Sequence, residues 1–105
     1  MILTTTNNVP GMEILEYKGL VTGEVVAGIN LIKDIGAGLK NIFGGRSAGY
    51  EEELVRAREQ ALAEMQNNAT QIGANAIIGI KIDFESMGAN GGMVFVTVTG
   101  TAVRV

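Results

Sequence analysis

GGRSAGYEEELVRAREQALAEMQNNATQIG, residues Gly44–Gly73, is the stretch on which the reading of this chain turns. Leu54, Ala57, Ala61, Met65, Ala69 and Ile72 recur at steps of three and four, and Val55 and Leu62 widen the stripe. Glu52, Glu53, Arg56, Glu59, Gln60, Glu64 and Asn67 mostly fall away from it. The spacing predicts an amphipathic helix that lays one face on an apolar layer. Ser47 or Gly49 is expected to cap it, and Gly73 to close it in a left-handed conformation. Glu51, Glu52 and Glu53 sit near its positive end. Glu52 and Arg56 have the favourable i,i+4 spacing of an ion pair. Arg58 has only Leu54, Val55, Ala61 and Leu62 at its helical neighbour positions. It is therefore expected to lack an acidic partner in its own helix and to run its stem along apolar surface.

Upstream, Ile2–Thr6 is mostly β-branched and reads as a short strand. Asn7–Gly11 (NNVPG) is a turn punctuated by Pro and Gly. From Met12 to Ala27 the chain roughly alternates, with Leu15, Tyr17, Val21 and Val25 on one side and Glu16, Lys18, Thr22 and Glu24 on the other. Gly19 and Gly23 interrupt this strand and imply a bulge, a bend or a close backbone approach. Asn30 then caps a short amphipathic helix, Leu31 to Phe43, whose Gly36 and Gly38 imply a tight contact or a helix that forms on docking.

Downstream, Ala76–Glu85 and the final strand read as a hairpin. Ala76, Ile78, Ile80, Ile82 and Phe84 form an apolar face, while Lys81, Asp83 and Glu85 turn polar. Ser86–Gly92 connects them, with Asn90-Gly91 as the turn signal. Val94, Val96, Val98, Gly100 and Ala102 form one face of the last strand, and Met93, Phe95, Thr97, Thr99, Thr101 and Val103 the other. Neither face carries a charge before Arg104, so both are expected to be covered. One long helix covers one side of such a sheet; the other side calls for a second layer or a second subunit.

At 105 residues the chain is read as a single domain, residues 1–105. Apolar residues are 47% and charged residues 18%, little charge for a solitary domain, and this composition also points to homo-oligomerisation. A net charge of −3 with scattered Lys and Arg argues against nucleic-acid binding. Cysteine and histidine are both absent, which removes disulfides, thiolate nucleophiles and the commonest general base and transition-metal ligand. No apolar run reaches membrane-spanning length and no signal peptide is evident, so a cytoplasmic protein is expected.

Few residues suggest chemistry. The GGRSAG loop before a helix N-terminus offers backbone N–H groups for an anion, with Arg46, Ser47 and Tyr50 as candidate ligand-binding residues. It lacks the Walker A spacing, and the structural alternative is a plain capping turn. Asp83 and Glu85, on one strand face, are the candidate metal ligands, beside the alternative of a solvated acidic face. Met65 reads as core. Glu16 and Glu24 have no evident acid–base partner, and no catalytic residue is identified. The Asn68-Ala69-Thr70 sequon falls inside the helix.

GEVVAGINLIKDI, GGRSAGYEEELVRAREQALAEM, GANAIIGIKIDFE and TGTAVRV, in this order, resemble the YbjQ-like family from Ile2 to the C-terminus. Its members are often labelled heavy-metal-binding. The resemblance implies an α+β fold like the dodecin subunit: an antiparallel sheet packed by one long helix plus a short amphipathic helix. It also implies a ring-like homopentamer. It supplies no catalytic residues and no cofactor. The expectation is a non-enzymatic scaffold or ligand-binding module with any site between subunits; the alternative is a metal-binding protein using carboxylates.

Overall fold

The computed structural model describes residues 1–28, 48–87 and 93–105, with side chains for 1–27, 51–86 and 93–105. Four strands, β1 (Ile2–Leu3), β2 (Glu16–Gly28), β3 (Ala76–Met87) and β4 (Met93–Arg104), form one sheet in the order β1-β3-β4-β2, and α1 (Ala48–Gln71) lies across it. The fold is α+β, as expected, but the sheet is mixed. β2–β4 and β3–β4 are antiparallel, whereas β1 runs parallel to β3. Backbone bonds from Thr4 to Ile77 and from Gly79 to Thr6 extend that parallel contact along the Ile2–Thr6 segment. The expected Leu31–Phe43 helix and the Asn90-Gly91 turn lie outside the described residues.

The α1 stripe is narrower than its periodicity predicts. Ala57, Ala61, Met65 and Ala69 are buried, Leu54 and Leu62 are partly so, and Val55 and Ile72 are exposed. Three of the four buried residues are alanines, so the helix approaches the strands closely, and Gly23 of β2 lies directly under Ala61. Gly49 falls within α1 rather than capping it, and Ser47 lies outside the described residues. The C-terminal end is as predicted. Gly73 has φ +85°, and Gly73 N–H to Thr70 and Ala74 N–H to Ala69 complete a Schellman pair of hydrogen bonds.

Two bulges decide which side chains meet α1. In β2, Tyr17 pairs with Val103 and Gly19 with Ala102, leaving Lys18 as the extra residue. Beyond it Val21, Gly23, Val25 and Ala27 face the helix, and Leu20, Thr22, Glu24 and Val26 turn to the opposite, back face. The expected grouping of Leu15 and Tyr17 with Val21 and Val25 is thereby corrected: Leu15 and Tyr17 are exposed. In β3, Gly79 (φ +60°) and Ile80 together oppose Gly100. Ile77, Ile80 and Ile82 pack on the helix side, while Ala76 and Ile78 join Val103 on the back face. The predicted face running unbroken from Ala76 to Phe84 is therefore split in two, because the bulge reverses the parity of every residue after it.

On β4 the predicted alternation holds. Val94, Val96, Val98, Gly100 and Ala102 are buried on the helix side, and Phe95, Thr97, Thr99 and Thr101 are half-buried on the back. The back face is covered at one end, where Val9, Ile14 and Val105 pack on Ala76, Ile78 and Val103. A turn at Val9–Met12, with Pro10 and positive-φ Gly11 at its centre, brings that cover over.

Candidate functional site

The described side chains concentrate their unusual features on the back face of the sheet. Across its three long strands the registers line up Leu20, Thr101 and Ile78; then Thr22, Thr99 and Lys81; then Glu24, Thr97 and Asp83; then Val26, Phe95 and Glu85. Leu20 is 75% exposed, Tyr17 68% and Val26 52%. Along β2 the surface alternates apolar Leu20 and Val26 with Thr22 and Glu24; along β4 it carries three threonine hydroxyls and then Phe95, and along β3 it is charged beyond Ile78. Sequence periodicity assigns none of Leu20, Val26 and Tyr17 to one exposed row; the signal that does so is Gly19, read as a bulge with its consequence for parity.

Asp83 and Glu85 do share this face, both exposed. Lys81 Nζ lies 3.6 Å from Asp83 Oδ1, which puts a cation of the same strand beside that carboxylate. Among the described residues no group of three or more acidic residues converges on a point where a metal ion would sit. Arg46 and Ser47, and the side chain of Tyr50, lie outside the described residues; the backbone of Tyr50 is in the first turn of α1.

A separate charged group closes the other end of β2. Glu16 Oε1 accepts from Lys18 Nζ at 2.9 Å and lies 3.5 Å from Arg104 Nε. Hydrogen bonding and charge attraction from Lys18 hold the Glu16 carboxyl below its ordinary range; desolvation opposes them, and Arg104 adds weaker pulls in the same direction as Lys18. Lys18 is the bulged residue, and its ammonium lies against Gly73 at the C-terminal end of α1, where a cation is favoured. Glu16 is thus a structural carboxylate held by two cations.

The helix surface offers less. Arg56 pairs with Glu53 rather than with Glu52 as the i,i+4 rule predicts. Arg58 does meet an acid of its own helix, Glu59, at 3.4 Å, which corrects the expectation that it has none. An open groove of about 600 Å³ is lined by Glu51, Glu52, Val55, Arg56 and Glu59, all from α1. It brings no second described element to the same point. Asn68, the first residue of the sequon, donates its side-chain amide to the Thr22 carbonyl at 3.0 Å and is spent on packing α1 to β2. No helix among the described residues is long and apolar enough to cross a membrane.

A mixed four-stranded sheet crossed by one small-residue helix, with a carboxylate-bearing outer face, defines a small α+β fold. The chain belongs to the YbjQ family, described as "Putative heavy-metal-binding", which matches residues 1–105. It is similar to a UPF0145 protein of Listeria welshimeri, 59% identical over 103 residues, which covers 98% of this chain and 94% of that protein. A UPF0145 protein of Listeria monocytogenes matches at the same identity and coverage. Among solved structures, a protein of unknown function of the DUF74 family from Pediococcus pentosaceus superposes with a TM-score of 0.59 at 20% identity, covering 100% of this chain and 97% of that one. That likeness concerns the fold alone.

Proposed function

We propose that this chain is a non-enzymatic, cytoplasmic homo-oligomer, serving as a scaffold or as a ligand-binding module whose site lies between subunits. The observation that supports this most is the back face of the sheet. Leu20, Val26 and Tyr17 stand exposed beside a threonine row, and the described cover reaches only the Val103 end. Exposed apolar surface of this kind marks an interface more often than idle surface. The ring-like homopentamer that the family resemblance implies favours five copies. The lack of cysteine and histidine and the scattered basic residues favour neither thiol or imidazole catalysis nor nucleic-acid binding. An anionic ligand would be sought first at Arg46, Ser47 and Tyr50, around the start of α1. Native mass spectrometry of the untreated protein tests the reading: a discrete assembly, with five copies as the expected mass, supports it. A monomer at about micromolar concentration overturns it.

A second reading, a carboxylate metal-binding protein, is favoured by one observation: Asp83 and Glu85 lie on the same exposed face. With neither cysteine nor histidine in the chain, a hard cation such as Ca²⁺ or Mn²⁺ fits these carboxylates better than a heavy metal. Calorimetric titration with each ion, repeated on Asp83→Asn, tests it; heats that are equal in the two proteins, or absent from both, remove it.

A further inference from the structure

Among the described residues the sheet has two open edges, and they match each other. β2 is the last strand on one side, and on the other side the Ile2–Thr6 segment covers β3 only as far as Ile80. Among the described residues, the outer edge of β3 from Lys81 to Met87 therefore has no strand beside it. β2 and β3 are each antiparallel to β4, so they run in the same direction. A long, unpaired strand edge presents rows of backbone N–H and C=O groups that fit one kind of partner, another extended strand.

We propose that β2 of one copy pairs in parallel with the Lys81–Glu85 half of β3 in a second copy, which continues the sheet from subunit to subunit. The inference rests on the homo-oligomer reading and names the surfaces that make it. Because the two edges differ, the contact is head-to-tail, the type that closes into a ring. Charge selects the register. In-line pairing would set Glu24 beside Asp83 of the next copy, whereas a stagger of two residues sets it beside Lys81. The same stagger places Val25 and Ala27 next to Ile82 and Phe84 on the helix side. Phe84 is 49% exposed there, because α1 packs chiefly on β2 and β4 and leaves this part of β3 bare.

The chain has no cysteine, so paired thiols report this contact directly. Glu24 and Lys81 are both exposed. Within one chain β4 separates their strands, so their backbones are about two strand spacings, roughly 10 Å, apart, beyond the reach of a disulfide. Oxidation of the Glu24→Cys, Lys81→Cys double variant is expected to give covalent ladders or closed rings on a non-reducing gel, while either single variant stays at monomer mass. A charge exchange checks the register: Glu24→Lys and Lys81→Glu alone are each expected to raise the assembly's dissociation constant about two- to fivefold, and together to restore it. Dimers from Glu24→Cys alone would indicate β2 pairing with β2 and overturn the proposal. So would a double variant that remains an oligomer by native mass spectrometry yet forms no cross-link, or an exchange without restoration, and in both cases the homo-oligomer reading stands. A monomeric native protein removes both.

Discussion

Gly23 of β2 and Ala61 of α1 touch through their backbones: a Cβ built on Gly23 would lie 1.9 Å from the Ala61 carbonyl oxygen. That contact sets the distance between helix and sheet, and the alanines at 57, 61 and 69 allow it. Replacing Gly23 by Ala forces α1 away from β2 along its central turns. The expected loss is about 1–3 kcal/mol, read as a fall in Tm of roughly 4–8 °C per kcal/mol. An unchanged melt would show that the helix is free to shift.

Gly79 tests the β3 bulge separately. A Cβ there meets no atom within 4 Å, so the cost of substitution comes from its φ of +60° alone. Gly79→Val is expected to destabilise by about 1–2 kcal/mol and Gly79→Asn by much less, since Asn tolerates the left-handed region. Urea midpoints of the two variants measure the difference, and equal midpoints would contradict a strained bulge.

Asn75 fastens the last residues of the chain. Its side chain donates to the Val105 carbonyl at 2.9 Å and accepts from the Val105 N–H at 2.8 Å, as a neighbouring strand would. Asn75→Ala removes both bonds, at an expected cost of about 1–2 kcal/mol for an exposed pair. Hydrogen exchange at the Val105 amide is expected to rise toward the rate of an unprotected group.

Glu16 predicts a pH dependence. Its carboxyl is held below the usual range by Lys18 and then Arg104, so the native state favours the charged form more than the unfolded chain does. The resulting stability is present above the unfolded-state carboxylate range, about pH 4–5, and is lost as pH falls through the lower native value. Glu16→Gln is expected to be less stable than the parent at pH 7 and to converge with it in acid. Chemical denaturation across pH 2–7 measures this. A gap that persists at pH 2 would mean that Glu16 acts through packing rather than charge.

How much of this was legible in the residues differs from element to element. The helix was plain, because Ala57, Ala61, Met65 and Ala69 repeat over several turns and Gly73 ends them. The hairpin of β3 and β4 and the special role of Gly19 and Gly23 were equally open to reading. The parity of β3 was not, because Ala76, Ile77, Ile78 and Ile80 fit an apolar face on either side of Gly79. Nor was the partner of Arg56, since Glu52 and Glu53 both lie within helical reach. For the candidate site, a shared face for Lys81, Asp83 and Glu85 followed from their spacing, whereas the 3.6 Å approach of Lys81 to Asp83 and the exposure of Leu20 and Val26 did not.

By itself the sequence determined the element types, the apolar stripe of α1 and the alternating faces of β4, because those depend on periodicity within a few residues. Tertiary structure alone decided that β1 joins parallel to β3, that the β2 bulge hands Leu20 and Val26 to the back face, and that Lys18 and Arg104 converge on Glu16. Each of these arises from pairing between segments far apart in the chain. There the hydrogen-bond register, rather than the local pattern, chooses which side of the sheet a residue occupies.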